Sequence, residues 1–138
     1  MIITSQIQHN VASIDESASV LEAVKYMSER YIGSIVITGA YGVKGIFTER
    51  DLMIQVISKG LDPALTSVGT VTDESLVKVK PDESVLHCLA LMKANHCRHL
   101  IVFDGDHFVG VVSIRDMVAL MLDEKEAMIT RLQEYIGT

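Results

Sequence analysis

The sequence predicts an α+β fold made of two β-α-β-β-α repeats that pack as a pseudo-twofold pair. Matching residues recur at one constant offset of 65, as in Gly45/Gly110, Asp51/Asp116, Met27/Met92 and Ser19-Val20-Leu21/Ser84-Val85-Leu86. The register runs without a gap from about Val11–Met53 onto Leu76–Val118, and apolar positions fall on apolar positions nearly throughout. Within each copy, strand-like runs alternate with helix-like spacing. Two copies make an internal duplication; a solenoid stacks more.

Each repeat opens on a short extended piece, "VASI" or "LVKV". A helix follows from Ser19, with Val20, Ala23, Val24 and Met27 at i, i+3, i+4, i+7; its counterpart from Ser84 carries Val85, Cys88, Leu89 and Met92. Ser19 and Glu22 read as a capping box. Two strands come next, "YIGSIVIT" and "VKGIF" turning between Gly39 and Gly42, then "CRHLIVF" and "FVGVV" turning at "DGD". A second helix starts on a repeated phrase, "TERD" and "SIRD". In the first copy it ends at Gly60, expected as a left-handed C′ residue, with Pro63 beyond. The stretch "GLDPALTSVGTVTDES" connects the copies. Neither repeat alone offers much surface to bury, so the two are expected to share one folding domain.

The expected boundaries are 1–60 for the first repeat, 61–125 for the connector and second repeat, and 126–138 for a C-terminal helical extension with no counterpart. In that tail Met121, Leu122, Met128, Ile129 and Leu132 share one helical face. It reads either as a helix covering its own module or as a dimerisation or partner-docking helix. Met27, Met92, Met121 and Met128 sit at helical core spacing and read as packing residues.

Composition narrows the function. Hydrophobic residues make up 49% of 138 residues, which excludes a disordered chain, yet no run reaches the roughly 20 apolar residues of a membrane span. The N-terminus lacks the basic and apolar regions of a secretory signal, so a cytoplasmic protein is expected. A net charge of -6 and 5% aromatics disfavour polymeric nucleic acid, while a few local cations suffice for one phosphate. Cys88 and Cys97 make no disulfide framework. Together with His87, His96 and His99 they suggest a metal cluster, but their spacing matches no usual zinc pattern, and Cys88 and Cys97 align with Ala23 and Ile32, apparent core positions. No metal site is expected, and His99, aligned with Ser34, reads as a cleft residue instead. No catalytic constellation or glycine-rich phosphate loop stands out, so no enzyme is expected.

The repeated phrase has a plain reading as a helix cap, since Ser or Thr at the N-cap with Asp at N3 contributes about 0.5–2 kcal/mol. Three features favour a ligand as well. Both copies carry an Arg that a cap does not need and a phosphate would use, Arg50 and Arg115. Both place a helix N-terminus, expected to be free, at the end of a hairpin. Duplication is also expected to bring the two phrases to a shared groove.

The stretches "ESASVLEAVKYMSERYIGSIVITGAYGVKGIFTERDLM" and "VTDESLVKVKPDESVLHCLALMKANHCRHLIVFDGDHFVGVVSIRDMV" resemble a tandem pair of cystathionine β-synthase (CBS) domains, a Bateman module of the stand-alone prokaryotic type. The resemblance covers nearly the whole chain, and its specificity lies in the ordered set repeated at constant spacing. It implies a non-catalytic regulatory module that binds adenosine-containing ligands (AMP, ADP, ATP, S-adenosylmethionine or dinucleotides) in clefts between the halves. No cofactor is required; the nucleotide is the regulatory ligand. Such modules commonly form homodimers and signal to a regulated protein, with vestigial clefts and a pure interaction role as the alternative. Carried onto this sequence, the resemblance implies Thr48, Arg50 and Asp51 in one cleft and Ser113, Arg115 and Asp116 in the other. The Asp would face ribose, and the hydroxyl and basic residues phosphate. Gly33 and Ser34, with their counterparts Arg98 and His99, and Thr72 complete the candidate set. Val36 and Ile101 stand where the family often has Pro, and only "VT" at Val71-Thr72 survives of a common "MT". With Thr72, Arg98, His99 and the SIRD phrase present, the second cleft is the favoured one.

Overall fold

The computed structural model describes residues 1–74 and 76–137; Ser75 in the connector and Thr138 at the end of the extension lie outside the described residues. The chain divides into two compact units, Asn10–Leu76 and Met1–His9 with Val77–Thr138. Among the described residues they contain two three-stranded sheets and four helices.

In the unit Asn10–Leu76, β1 (Ser13–Asp15) lies parallel to β2 (Ser34–Gly39), which pairs antiparallel with β3 (Gly42–Thr48). Helix α1 (Val20–Glu29) starts where the Ser19 hydroxyl accepts the Glu22 N–H at 3.0 Å. The expected reciprocal bond from the Glu22 side chain is not made. Val20, Ala23 and Met27 then turn onto the sheet, where they join Ile35, Ile37, Phe47, Val56 and Val68 in one core. After Thr48 the chain makes one α-helical turn, α2 (Glu49–Asp51), and widens into a π-helical stretch, Leu52–Ile57, where the sequence pattern predicts one continuous α-helix. The helix ends as expected at Gly60, whose φ is +71°.

The connector folds back on this same unit. A 3-10 turn (Val68–Thr70) buries Val68 in the core, and Asp73 bridges to Ile46 of β3. Lys44 of β3 ties the connector down by pairing with Glu16 at 2.8 Å and Glu74 at 3.2 Å. Both hydrogen bonds raise its pKa above the ordinary lysine value.

The other unit repeats the plan. Strand β4 (Lys78–Val79) lies parallel to β5 (His99–Asp104), and β5 pairs antiparallel with β6 (His107–Ser113). Helix α3 (Val85–Asn95) is capped by the Ser84 hydroxyl, and α4 (Ile114–Tyr135) follows β6 directly. A register shift recurs at equivalent places, between Ile37 and Thr38 and between Val102 and Phe103.

The first nine residues complete this second unit. Gln8 exchanges both backbone hydrogen bonds with Val111, at 3.0 and 3.1 Å. The Ile3 N–H donates to Glu83 O, and Val85 N–H to Met1 O. Ile3 and Ile7 are buried beside Val79, Val85, Cys88, Met92, Leu100, Val102, Val112 and Met117. The segment before each repeat therefore packs on the other repeat's hairpin: Gln8 on Val111, Asp73 on Ile46. Each unit, completed by the segment that precedes the other repeat, has a core cluster of its own.

Two methionines depart from the core assignment. Met27 and Met92 are buried, but Met121 and Met128 are 43% and 50% exposed. Only Met117 of α4 is buried, so the distal part of the helix does not cover its own unit. Cys88 behaves as the small buried hydrophobe expected from its place in the repeat; burial first, and the charge of Glu83 second, push its thiol pKa up to about 11.

Candidate functional site

In each repeat the last residue of the hairpin is the hydroxyl that starts the following helix. The Thr48 hydroxyl accepts the Asp51 N–H at 3.2 Å, while Asp51 Oδ2 accepts the Thr48 N–H at 2.9 Å and its hydroxyl at 3.0 Å. Ser113 and Asp116 reproduce this reciprocal cap, at 3.3, 2.7 and 2.9 Å. The plain reading of the phrase is therefore met in both copies. The cap also locks the carboxylate rotamer, because one oxygen is held by two donors.

Strand pairing brings the other candidates to these helix starts. Ser34 is opposite Thr48, and the Gly33 carbonyl accepts the Glu49 N–H at 3.0 Å. His99 is opposite Ser113, and the Arg98 carbonyl accepts the Ile114 N–H at 2.9 Å. Gly33, Ser34, Thr48, Arg50 and Asp51 thus form one group, and Arg98, His99, Ser113, Arg115 and Asp116 the other. Arg50, Arg98 and Arg115 are exposed.

The helix starts are less open than the sequence suggests. The first N–H is taken by the carbonyl of Gly33 or Arg98 and the third by the capping hydroxyl. Only the N–H of Arg50 or Arg115, between them, stays outside these bonds. An anion at either start would therefore draw mainly on arginine side chains.

Arg98 and His99 lie in the unit that contains Val77–Thr138, whereas Thr72 lies in the unit Asn10–Leu76. It is buried against Gly45, and its hydroxyl donates to Val68 O at 2.6 Å. That hydroxyl is committed to holding the connector.

The two groups differ in charge. The first carries Glu49, Arg50 and Asp51, and the Glu49 carboxylate lies over Gly33, where an added Cβ would meet its Cδ at 3.0 Å. The second carries Arg98, Arg115 and Asp116, with apolar Ile114 in the place of Glu49. Burial holds the His99 imidazole below its ordinary pKa against the opposing pull of Asp116, with Arg98 reinforcing the drop.

One residue at the second site was not singled out in the sequence. Gln8 Nε2 donates to both carboxylate oxygens of Asp116, at 3.2 Å each. Carrying the offset of 65 three residues upstream of Val11 would have paired Gln8 with Asp73, the two residues that bridge to equivalent places on β6 and β3.

Among the described residues no three His, Cys, Asp or Glu side chains gather as a metal site, and no helix is long and apolar enough to cross a membrane. The CBS domain family model matches residues 4–58 and 68–123. The chain is 33% identical over 123 residues to the mitochondrial CBS domain-containing protein CBSX3 of Arabidopsis thaliana, covering 86% of this chain but 60% of that protein. Over 117 residues it is 26% identical to the CBS domain-containing protein YhcV of Bacillus subtilis, covering 85% and 83%. A solved structure of a CBS-domain protein from Burkholderia ambifaria superposes with a TM-score of 0.82 at 28% identity, over 88% of this chain and 91% of that one. With both repeats matched in order and in fold, the chain belongs to the CBS-domain family as a tandem pair, a kind of module that is generally regulatory rather than catalytic.

Proposed function

We propose that this protein is a non-catalytic sensor of an adenosine-containing ligand, AMP, ADP or ATP, which binds at the helix-start phrases and alters how the module engages a regulated protein. The observation that carries this reading is the state of Asp51. Its Oδ2 is fixed by the Thr48 cap, while its Oδ1 accepts no hydrogen bond among the described residues. A rotationally locked carboxylate with one open oxygen suits a neutral ribose hydroxyl, as acidic residues do in dinucleotide folds. It does not suit a phosphate, which at 4 Å would be repelled by roughly 4 kcal/mol at an effective dielectric near 20. Arg50 stands beside it for the phosphate, with Gly33, Ser34 and Thr48 lining the group and Thr72 supporting β3 behind it. Arg98, Arg115, His99, Ser113 and Asp116 take the same parts in the second repeat. Ligand binding acts by population shift, favouring the arrangement it binds more tightly. Cys88, a buried thiol outside any disulfide, fits a reducing compartment, the cytoplasm.

A second reading, as an interaction module, is favoured by the exposed apolar face of α4, with Met121, Leu122, Met128, Ile129 and Leu132 all 43% exposed or more. The two readings combine if this face is where the chain forms a homodimer or meets its partner.

A thermal-shift panel of AMP, ADP, ATP, S-adenosylmethionine and NAD tests the sensor reading. A ligand at 100 times its Kd adds about 2.7 kcal/mol and raises the midpoint by several degrees. Asn at 51 or 116 keeps the shape of the cap but loses the charge, so the Asp51→Asn/Asp116→Asn variant should fold and lose most of the shift. A full shift in that variant places the site elsewhere, and no shift with any ligand overturns the reading.

A further inference from the structure

The two repeats present their carboxylates differently, and the difference comes from the exchanged segments. Gln8 and Asp73 occupy equivalent positions, each pairing its backbone with the hairpin strand that leads to the helix-start phrase. Both approach a glycine closely: Gly110 faces the Gln8 backbone and Gly45 the Asp73 backbone. The side chains at these positions are opposite in kind. A glutamine amide donates, and an ionised aspartate only accepts.

At the second repeat the consequence is direct. Gln8 Nε2 sits 3.2 Å from both oxygens of Asp116, and Oδ2 already receives the Ser113 N–H and hydroxyl. A carboxylate has about four lone-pair positions, and four hydrogen bonds from three donor groups already reach Asp116 before any ligand arrives. At the first repeat both bonds to Asp51 fall on Oδ2, and Oδ1 has no donor among the described residues. A carboxylate at position 73 cannot supply one.

We infer that Gln8 is a gate on the second site: its amide occupies the Asp116 carboxylate in the place of a ligand diol, so that a ribose must displace it, while the first site needs no such exchange. This rests on the nucleotide reading above and adds to it an order of filling. The diol contact favours the first repeat. The second is entered by ligands whose phosphates also engage Arg98 and Arg115 strongly enough to offset the lost amide bond. Displacement requires only a side-chain rotation, because the Gln8 backbone stays paired with Val111 and Ile7 stays buried.

The test is calorimetric titration of the full chain with AMP in an Asp51→Asn background, which leaves the second site to be read alone. Gln8→Ala removes the competing donor and is expected to tighten AMP about tenfold, the scale of one charge-assisted hydrogen bond. The same substitution should leave 2′,3′-dideoxy-AMP unchanged, because that ligand has no diol to compete with the amide. Tightening of both ligands alike, or no tightening of AMP, overturns the gate while leaving the nucleotide reading intact. Weaker AMP binding in Gln8→Ala also overturns it, by showing that Gln8 supports the ligand. Absence of AMP binding in Gln8→Ala and its background, and in the unsubstituted protein, overturns both proposals.

Discussion

At Gly110 the backbones of β6 and the N-terminal segment come closer than a side chain allows. An added Cβ would lie 2.9 Å from both the Gln8 carbonyl carbon and Ile7 Cγ2, and closer still to the Gln8 oxygen. Gly45 meets the Asp73 backbone and Thr72 Cγ2 in the same way. Because the obstacle is paired backbone, it cannot swing aside, so Gly110→Ala should cost about 1–3 kcal/mol in urea unfolding. Gly33→Ala meets only the flexible end of Glu49 and should cost clearly less; equal losses would show that the exchanged segment yields. The repeated Gly was legible in the sequence, but its cause was not. The atoms that require it at Gly110 belong to Ile7 and Gln8, about a hundred residues away, and no local pattern announces that contact. The cap at Thr48 and Ser113 was legible for the opposite reason, since its partners lie three residues apart.

Among the elements, both first helices of the repeats end in the same strained way. Tyr31 after α1 and His96 after α3 take φ of +54° and +52°, although neither is glycine. The left-handed conformation costs an L-residue roughly 1–2 kcal/mol, part of which glycine forfeits through its freer unfolded chain. Tyr31 is 97% exposed and His96 is also exposed, so replacing either loses little packing. Tyr31→Gly and His96→Gly should each stabilise by about 0.5–1 kcal/mol. Thermal midpoints of the two variants check this, and a fall in either would count against it. Gly60 was read correctly in advance because glycine advertises its conformation, whereas Tyr31 and His96 do not. The π-helical stretch after Asp51 was hidden too, because Leu52 and Val56 keep a four-residue apolar spacing that reads as an ordinary α-helix.

For the molecule as a whole, the largest feature left open is the outer face of α4. Val118, Leu122, Lys125, Ile129, Leu132 and Ile136 follow one another at alternate steps of four and three residues, the spacing of a coiled-coil seam, with Met121, Met128 and Tyr135 alongside. The tail's apolar face was visible in the sequence; whether its own unit covered it depended on where α4 points after Met117, which no periodicity encodes. The apolar members of this stripe are 43–87% exposed. At ~150–200 Å² per side chain they present on the order of 800 Å² to water, about one partner's share of a standard interface. A face of that size on a chain of net charge -6 calls for a cover, and a heptad seam is complementary to a copy of itself. Sedimentation should therefore find the protein as a dimer, and Ile129→Glu/Leu132→Glu should make it a monomer by placing charge in the seam. Because both positions are exposed in the single chain, the variant should match the unfolding free energy of the unsubstituted protein measured at a concentration dilute enough to dissociate it. A variant that still dimerises would put the interface elsewhere. If the unsubstituted protein is itself a monomer, the seam is not closed by a second copy of this chain.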